Sequence, residues 1–297
     1  MATKNHWLPA IVLVFFCAAS LRAQAPEDVI RTNTNLVTIN VSVNGNKGRP
    51  LAGLKPENFL VTEEEKQMRV EFFDDGGPAS IVFVVDLSSS MRGEKWQSLM
   101  AGIKDFLAKA PLGNDYTLIG FSDQASVIAR SVNEDQLWQV MNKLVPAGNT
   151  ALYDAMLVGL NALAEIPHRH KALVLFSDGQ DTCSRAVLSA VRQEMLMRRA
   201  TIYTVGILSK YDSPLPNGRT GKELLSELAS ATGGLAYFPS AEGLKRVLKE
   251  IKSDLSGQYS LSYYPLENSP GRRRVQVRIM QSEQTAKLRY QEYYTIK

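Results

Sequence analysis

Residues 81–100 read IVFVVDLSSSMRGEKWQSLM. Its first five residues are apolar and mostly β-branched or aromatic, the signature of a strand covered on both faces. The run stops at Asp86, and Ser88, Ser89 and Ser90 follow. Beyond them Trp96, Leu99, Ile103, Phe106 and Leu107 recur at helical spacing. Ser and Asp are favoured helix caps, so the stretch alone fits a cap as well as a site. A turn needs one or two such residues; a site needs several, pointing the same way.

The same alternation runs from Ala79 to Gly257. Strand-like runs (YTLIGF, SVIAR, KALVLFSD, TIYTVGI, LAYF) are separated by amphipathic stretches, the last being Leu244, Val247, Leu248, Ile251 and Leu255. This pattern predicts an α/β domain with a doubly wound, mostly parallel sheet flanked by helices. SVIAR follows YTLIGFSDQA after a tight turn, so that pair is expected to be an antiparallel edge hairpin.

Both flanks read as period two. Val37, Ile39, Val41 and Val43 alternate with Thr38, Asn40 and Ser42, a half-buried strand. NFLVTEEEKQMRVEFF predicts two short strands joined at an acidic hairpin. After Gln258, Tyr259, Leu261 and Tyr263 alternate with serines, and Val275, Val277 and Ile279 with polar residues; LENSPGRRR and QSEQ read as turns. Two or three strands alone make a marginal sheet. The economical arrangement pairs 24–78 with 258–297 in one small β domain, with 79–257 inserted. The tyrosines at 259, 263, 264, 290, 293 and 294 are expected to pack across strands.

At the N-terminus, Lys4 and His6 precede an apolar run from Leu8 to Ala19, and SLRAQA follows. This pattern is a secretory signal peptide over 1–23, cut after Ala23, with an uncleaved anchor as the rival reading. The expected location is secreted or periplasmic, with no membrane insertion of the mature chain. The net charge of +4 is too small, and too scattered, to argue for nucleic acid. Cys183 is the only cysteine left after the leader, which excludes an internal disulfide framework and a cysteine zinc site. His168 and His170 read as a solvated loop.

In open α/β sheets ligands bind beyond the carboxyl ends of the strands. There stand Asp86, Ser88 and Ser90; Asp178, Gly179 and Asp181; and, in the loop PAGNTALYDA, Thr150. Oxygen donors without His or Cys suit a hard cation. Two carboxylates and three hydroxyls fill most of an octahedral shell and leave a position open. Their low charge keeps the ion electrophilic toward an outside carboxylate.

Asp86-Leu87-Ser88-Ser89-Ser90, then Thr150 in GNTALYDA, then Asp178-Gly179 in LVLFSDGQDT resemble the metal-ion-dependent adhesion site of von Willebrand factor A domains. Asn149 departs from that pattern, where a glycine is expected. The resemblance covers residues 79–257 and implies a Rossmann-like fold. It implies Mg2+ (Mn2+ or Ca2+ as substitutes) held by Ser88, Ser90 and Thr150, with Asp86 and Asp178 acting through water, and a protein partner supplying a carboxylate. The flanks are similar, more loosely, to secreted bacterial proteins that carry this domain between β regions. Asp154 and Asp181 are expected to cap or to orient the ligands. In related domains the C-terminal helix moves; here it spans about 241–256. The loop 209–221 lies beyond a strand end and reads either as a rim of the site or as a spacer. No catalytic elbow, phosphate loop or dinucleotide motif is present, so an enzyme is not expected. A structural module with an unused metal site, or a Mg2+-dependent hydrolase, are the alternatives.

Overall fold

The computed structural model describes residues 36–45, 48–111, 113–166, 170–208, 218–280 and 286–296; the expected signal peptide, His168, the QSEQ turn and most of the loop 209–221 lie outside them. In chain order the elements are β1 (Val37–Asn44), β2 (Phe59–Glu63), β3 (Lys66–Met68), β4 (Phe72–Asp74) and β5 (Ala79–Asp86). Then come α1 (Glu94–Ala108), β6 (Asp115–Phe121), β7 (Ala125–Val132), α2 (Glu134–Met141), α3 (Leu152–Ala162), β8 (His170–Ser177) and α4 (Leu188–Arg198). The chain continues through β9 (Thr201–Gly206), α5 (Gly221–Ser230), β10 (Ala236–Tyr237), α6 (Leu244–Ser256), β11 (Gln258–Tyr263), β12 (Gly271–Ile279), β13 (Lys287–Arg289) and β14 (Tyr293–Ile296).

Strands β5 to β10 form one sheet in the order β10-β9-β8-β5-β6-β7. All its pairs are parallel except β6 with β7, the expected edge hairpin. β5 is buried along its whole length, as its unbroken apolar run requires. Its alternate residues feed two cores. Ile81, Phe83 and Val85 meet α1, α2 and α6 through Leu99, Phe106, Leu137 and Leu248. Val82 and Val84 meet α3, α4 and α5 through Met156, Val191 and Leu224. The chain winds outward from β5 to one edge, then returns to place β8 on its other side. The strand order therefore reverses between β5 and β8, and a crevice opens beyond their carboxyl ends.

The flanking strands form two antiparallel sheets, β13-β1-β11-β4 and β14-β12-β2-β3. They share a core of Val37, Val41, Val61, Leu261, Val275 and Tyr294, among others, so they face each other as a sandwich. The α/β unit is inserted between β4 and β11.

Four local expectations are corrected. β1 and β11 are not half-buried: Asn40, Ser42, Ser260 and Ser262 are buried as well, because the second face of this sheet packs toward the α/β unit. His170 is not in a solvated loop but opens β8 and is buried. Its Nδ1 lies 3.3 Å from the Ser260 hydroxyl and its Nε2 3.5 Å from Asp74. Arg272, Arg273 and Arg274 belong to β12 rather than to a turn. Of the tyrosines, Tyr264 remains exposed instead of packing across strands.

Candidate metal centre

Asp86 ends β5 with no exposed surface. Its Oδ1 accepts the Ser88 backbone N–H at 2.8 Å, an Asx turn that bends the chain out of the strand. Its Oδ2 accepts the Ser177 hydroxyl at 3.0 Å. Ser177 ends β8, next to β5, and its oxygen also accepts the Gly179 N–H at 3.1 Å. One hydroxyl thus joins both strand ends. The Ser90 hydroxyl donates to Asp178 Oδ2 at 3.0 Å. Its single proton is then committed, so in the 3.0 Å contact between Ser88 and Ser90 Ser88 is the donor.

The loop carrying Thr150 locks onto these two. Ser89 N–H donates to the Gly148 carbonyl at 3.0 Å and Gly148 N–H to the Ser89 hydroxyl at 3.1 Å. Thr150 is buried; its N–H donates to the Thr182 hydroxyl at 2.9 Å and its carbonyl accepts the Thr182 N–H at 2.8 Å. Among the described residues no hydrogen bond joins the Thr150 side chain to Asp86, Ser88, Ser90 or Asp178; it reaches them through its loop. Asn149, the departure noted above, donates its amide to Asp123 Oδ1 at 2.6 Å. The change of residue is absorbed by the β6–β7 turn.

Asp181 and Asp154 tie neighbouring segments. Asp181 Oδ1 accepts the Tyr153 N–H at 3.3 Å, at the start of α3. Asp154 accepts the Arg185 and Ala186 N–H groups at 3.1 and 2.8 Å, which holds the loop beyond Asp178. Cys183 is a free thiol, with Sγ 3.9 Å from the Ser122 carbonyl.

Three supporting residues escaped the sequence reading. Ser177 and Asp123 are polar residues at strand ends, and nothing local distinguishes them from caps. Gly221 ends the loop 209–221 and opens α5. A Cβ there would stand 2.2 Å from the Asp178 carbonyl oxygen, and one on Gly179 would stand 2.6 Å from the Gly221 oxygen. The start of α5 rests against the Asp178 turn, a contact only two glycines allow.

The electrostatics are unbalanced. Burial pushes the Asp86 carboxyl up to about 6 from its ordinary 3.8, with the Asp178 charge adding to the rise and hydrogen bonds from Ser88 and Ser177 opposing it. A buried carboxylate wants a cation. Among the described residues no group of three or more His, Cys, Asp or Glu is placed to hold a metal. A metal here would therefore rest on hydroxyls as well as carboxylates, which is the donor set of a hard ion.

Residues 81–180 match the family model described as von Willebrand factor type A domain. A von Willebrand factor type A protein from Catenulispora acidiphila superposes with a TM-score of 0.52 at 13% identity, covering 90% of this chain and 74% of that one. The α/β unit has the von Willebrand factor A fold. An aerotolerance-related membrane protein from Bacteroides fragilis gives 0.51 at 13% identity, over 60% of this chain and 98% of that one. In sequence, this chain is similar to inter-alpha-trypsin inhibitor heavy chain H4 of Sus scrofa, 25% identical over 173 residues, or 54% of this chain and 18% of that protein. Heavy chain H2 of Homo sapiens is 23% identical over 177 residues, or 50% and 19%. The chain thus spans less than a fifth of the length of these curated relatives. Among the described residues no helix is long and apolar enough to cross a membrane.

Proposed function

We propose that Asp86, Ser88, Ser90, Thr150 and Asp178 hold a divalent cation, and that a carboxylate of a partner protein completes its shell. The observation that carries this reading is the oxygen spacing. Ser88 to Ser90 and Ser90 to Asp178 are both 3.0 Å. An octahedron with bonds of about 2.1 Å has edges of about 3.0 Å, whereas Ca2+ bonds give edges of about 3.4 Å. Two oxygen–oxygen edges thus have a length that a Mg2+ or Mn2+ shell accepts, which is also that of an ordinary hydrogen bond, and the oxygen-only donor set makes Mg2+ the first choice.

When bound, the cation supplies a Lewis-acidic position open to an outside oxygen. The chain does the rest. Ser88 and Ser90 present neutral oxygens, so the site keeps its affinity for an anion. Asp86 and Asp178 supply the charge from below, and Ser177 holds both strand ends in register. The loop locks around Ser89 and Thr150 fix the geometry before any partner arrives, which lowers the cost of binding.

Adhesion or scaffolding outside the cytoplasm follows from this site and from the N-terminal segment's leader pattern. Catalysis gains no support from the remaining chemistry. Ser260, His170 and Asp74 do line up, but Ser260 is buried and donates its proton to Asn40 Oδ1 at 2.7 Å. It has neither access to a substrate nor a free proton to give to a base.

Calorimetric titration with Mg2+ tests the reading. Ser90→Ala removes the oxygen shared by both short contacts and is expected to weaken Mg2+ by about tenfold or more, roughly 1.4 kcal/mol, with folding intact by circular dichroism. Unchanged Mg2+ affinity in Ser90→Ala and in Asp178→Asn would sink the proposal.

A further inference from the structure

A second recognition surface lies away from the metal centre. α1 starts beside the Ser88–Ser90 turn and runs for 15 residues, about 22 Å. Near its far end it packs against α6, and a hollow of about 340 Å3 opens between the two helices. Phe106 and Leu248 form its floor; Lys109, Lys245, Lys249 and Lys252 line it. Lys245, Lys249 and Lys252 are spaced i, i+4 and i+7, so they share one face of α6. Among the described residues none of these three makes an ion pair.

The hollow already accommodates one carboxylate. Asp105 receives a hydrogen bond from Lys109 at 2.6 Å. Its carboxyl is held below the usual range by that bond, and by the charges of Lys109, Lys245 and Lys252. Four lysines against one aspartate leave the hollow strongly cationic. The lysine stems give it apolar walls while their ammonium groups stand at the rim.

We propose that this α1–α6 groove docks an acidic helical segment of a partner protein. A helix with carboxylates at i, i+4 and i+7 repeats the lysine spacing of α6. It can set apolar residues against the stems and the Phe106–Leu248 floor, the helix-in-groove mode. α6 is 13 residues long, so the matching segment is about three to four turns. The groove does not depend on the metal centre, and its test separates the two.

The test uses the full chain in EDTA with a synthetic peptide of about 14 residues, patterned Glu-Leu-Ala-Glu-Glu-Leu-Ala twice and capped at both ends. Amide NMR shifts are expected at Asp105–Lys109 and Lys245–Ser253. The double variant Lys249→Glu/Lys252→Glu is expected to weaken binding by about tenfold or more, as are Gln for Glu in the peptide and about 0.5 M NaCl. Asp86→Ala is expected to leave it unchanged. Both lysines are outside the cores, and the variant's unfolding midpoint checks that it folds. The proposal is overturned if no shifts occur with millimolar peptide, or if the double variant binds as tightly as the parent. It is equally overturned if the shifts map to the arginines of β12. Phosphatidylglycerol vesicles that bind through these lysines where the peptide does not would also reject it, in favour of a lipid surface.

Discussion

Asp86 carries the sharpest consequence of this architecture. It is fully buried, and its carboxyl titrates near 6 instead of 3.8. Below 3.8 the folded and unfolded chains are both protonated there, and the group is neutral in its effect. As pH rises, the unfolded chain gives up its proton first while the folded chain keeps it, so stability falls. Above about 6 both are ionised, and the full cost, about 3 kcal/mol, remains. A bound cation offsets that cost only where the carboxylate is ionised. In EDTA the unfolding midpoint is therefore expected to drop between about pH 4 and pH 6, and Mg2+ to restore it at pH 7 but not at pH 4.5. Asp86→Asn removes the titration and is expected to flatten this window. Equal slopes for the parent and Asp86→Asn, from thermal scans in EDTA across those pH values, would refute the assignment.

At the scale of elements, the sequence made some things plain and hid others for physical reasons. β5 was legible because a strand covered on both faces must be apolar throughout. Asp86, Ser88, Ser90 and Asp178 were legible because they occupy strand ends, where topology converges side chains. Asn40, Ser42 and Ser260 were misread because polar residues in a period-two strand normally face water. Here they face another module and satisfy one another; the Ser260 hydroxyl, for example, donates to Asn40 at 2.7 Å. The role of α5 was hidden because close backbone approach leaves only a glycine as its trace. That contact makes a prediction. Gly221→Ala places a methyl within 2.2 Å of the Asp178 carbonyl oxygen, and a backbone atom directly after a buried strand cannot yield cheaply. The variant is expected to lose about 1–3 kcal/mol and to weaken Mg2+ as well, because the Asp178 turn moves. Urea unfolding and Mg2+ titration read the two effects. Gly221→Ala with parental stability and affinity would show that α5 does not brace the site.

Among the described residues, the α/β unit is threaded between β4 and β11 of the sandwich. The sandwich pairs strands from either side of the inserted unit, β1 and β4 with β11 and β2 with β12, so its contacts are long-range. A buried polar seam then joins the two. Asp254 on α6 accepts the Tyr203 hydroxyl at 2.6 Å and the Ser42 hydroxyl at 3.3 Å, and it pairs with Arg289 of β13. Gln258 donates to Ser42 and Tyr203 at 3.1 and 2.9 Å. The Asp254 charge is what settles this seam, since Arg289 and the two hydroxyls all donate to it. Removing one member of a buried pair strands the other, at about 3–5 kcal/mol. Asp254→Ala is therefore expected to loosen the sandwich more than the α/β unit. Trp96 and Trp138 lie in α1 and α2, so their fluorescence follows the α/β unit, while exchange of the β11 and β12 amides follows the sandwich. In the parent the two transitions are expected to coincide in urea. In Asp254→Ala the sandwich amides are expected to open first, at a denaturant concentration where tryptophan fluorescence is still native. Coincident transitions at the parental midpoint would show that shape alone, and not this buried charge, holds the two modules together.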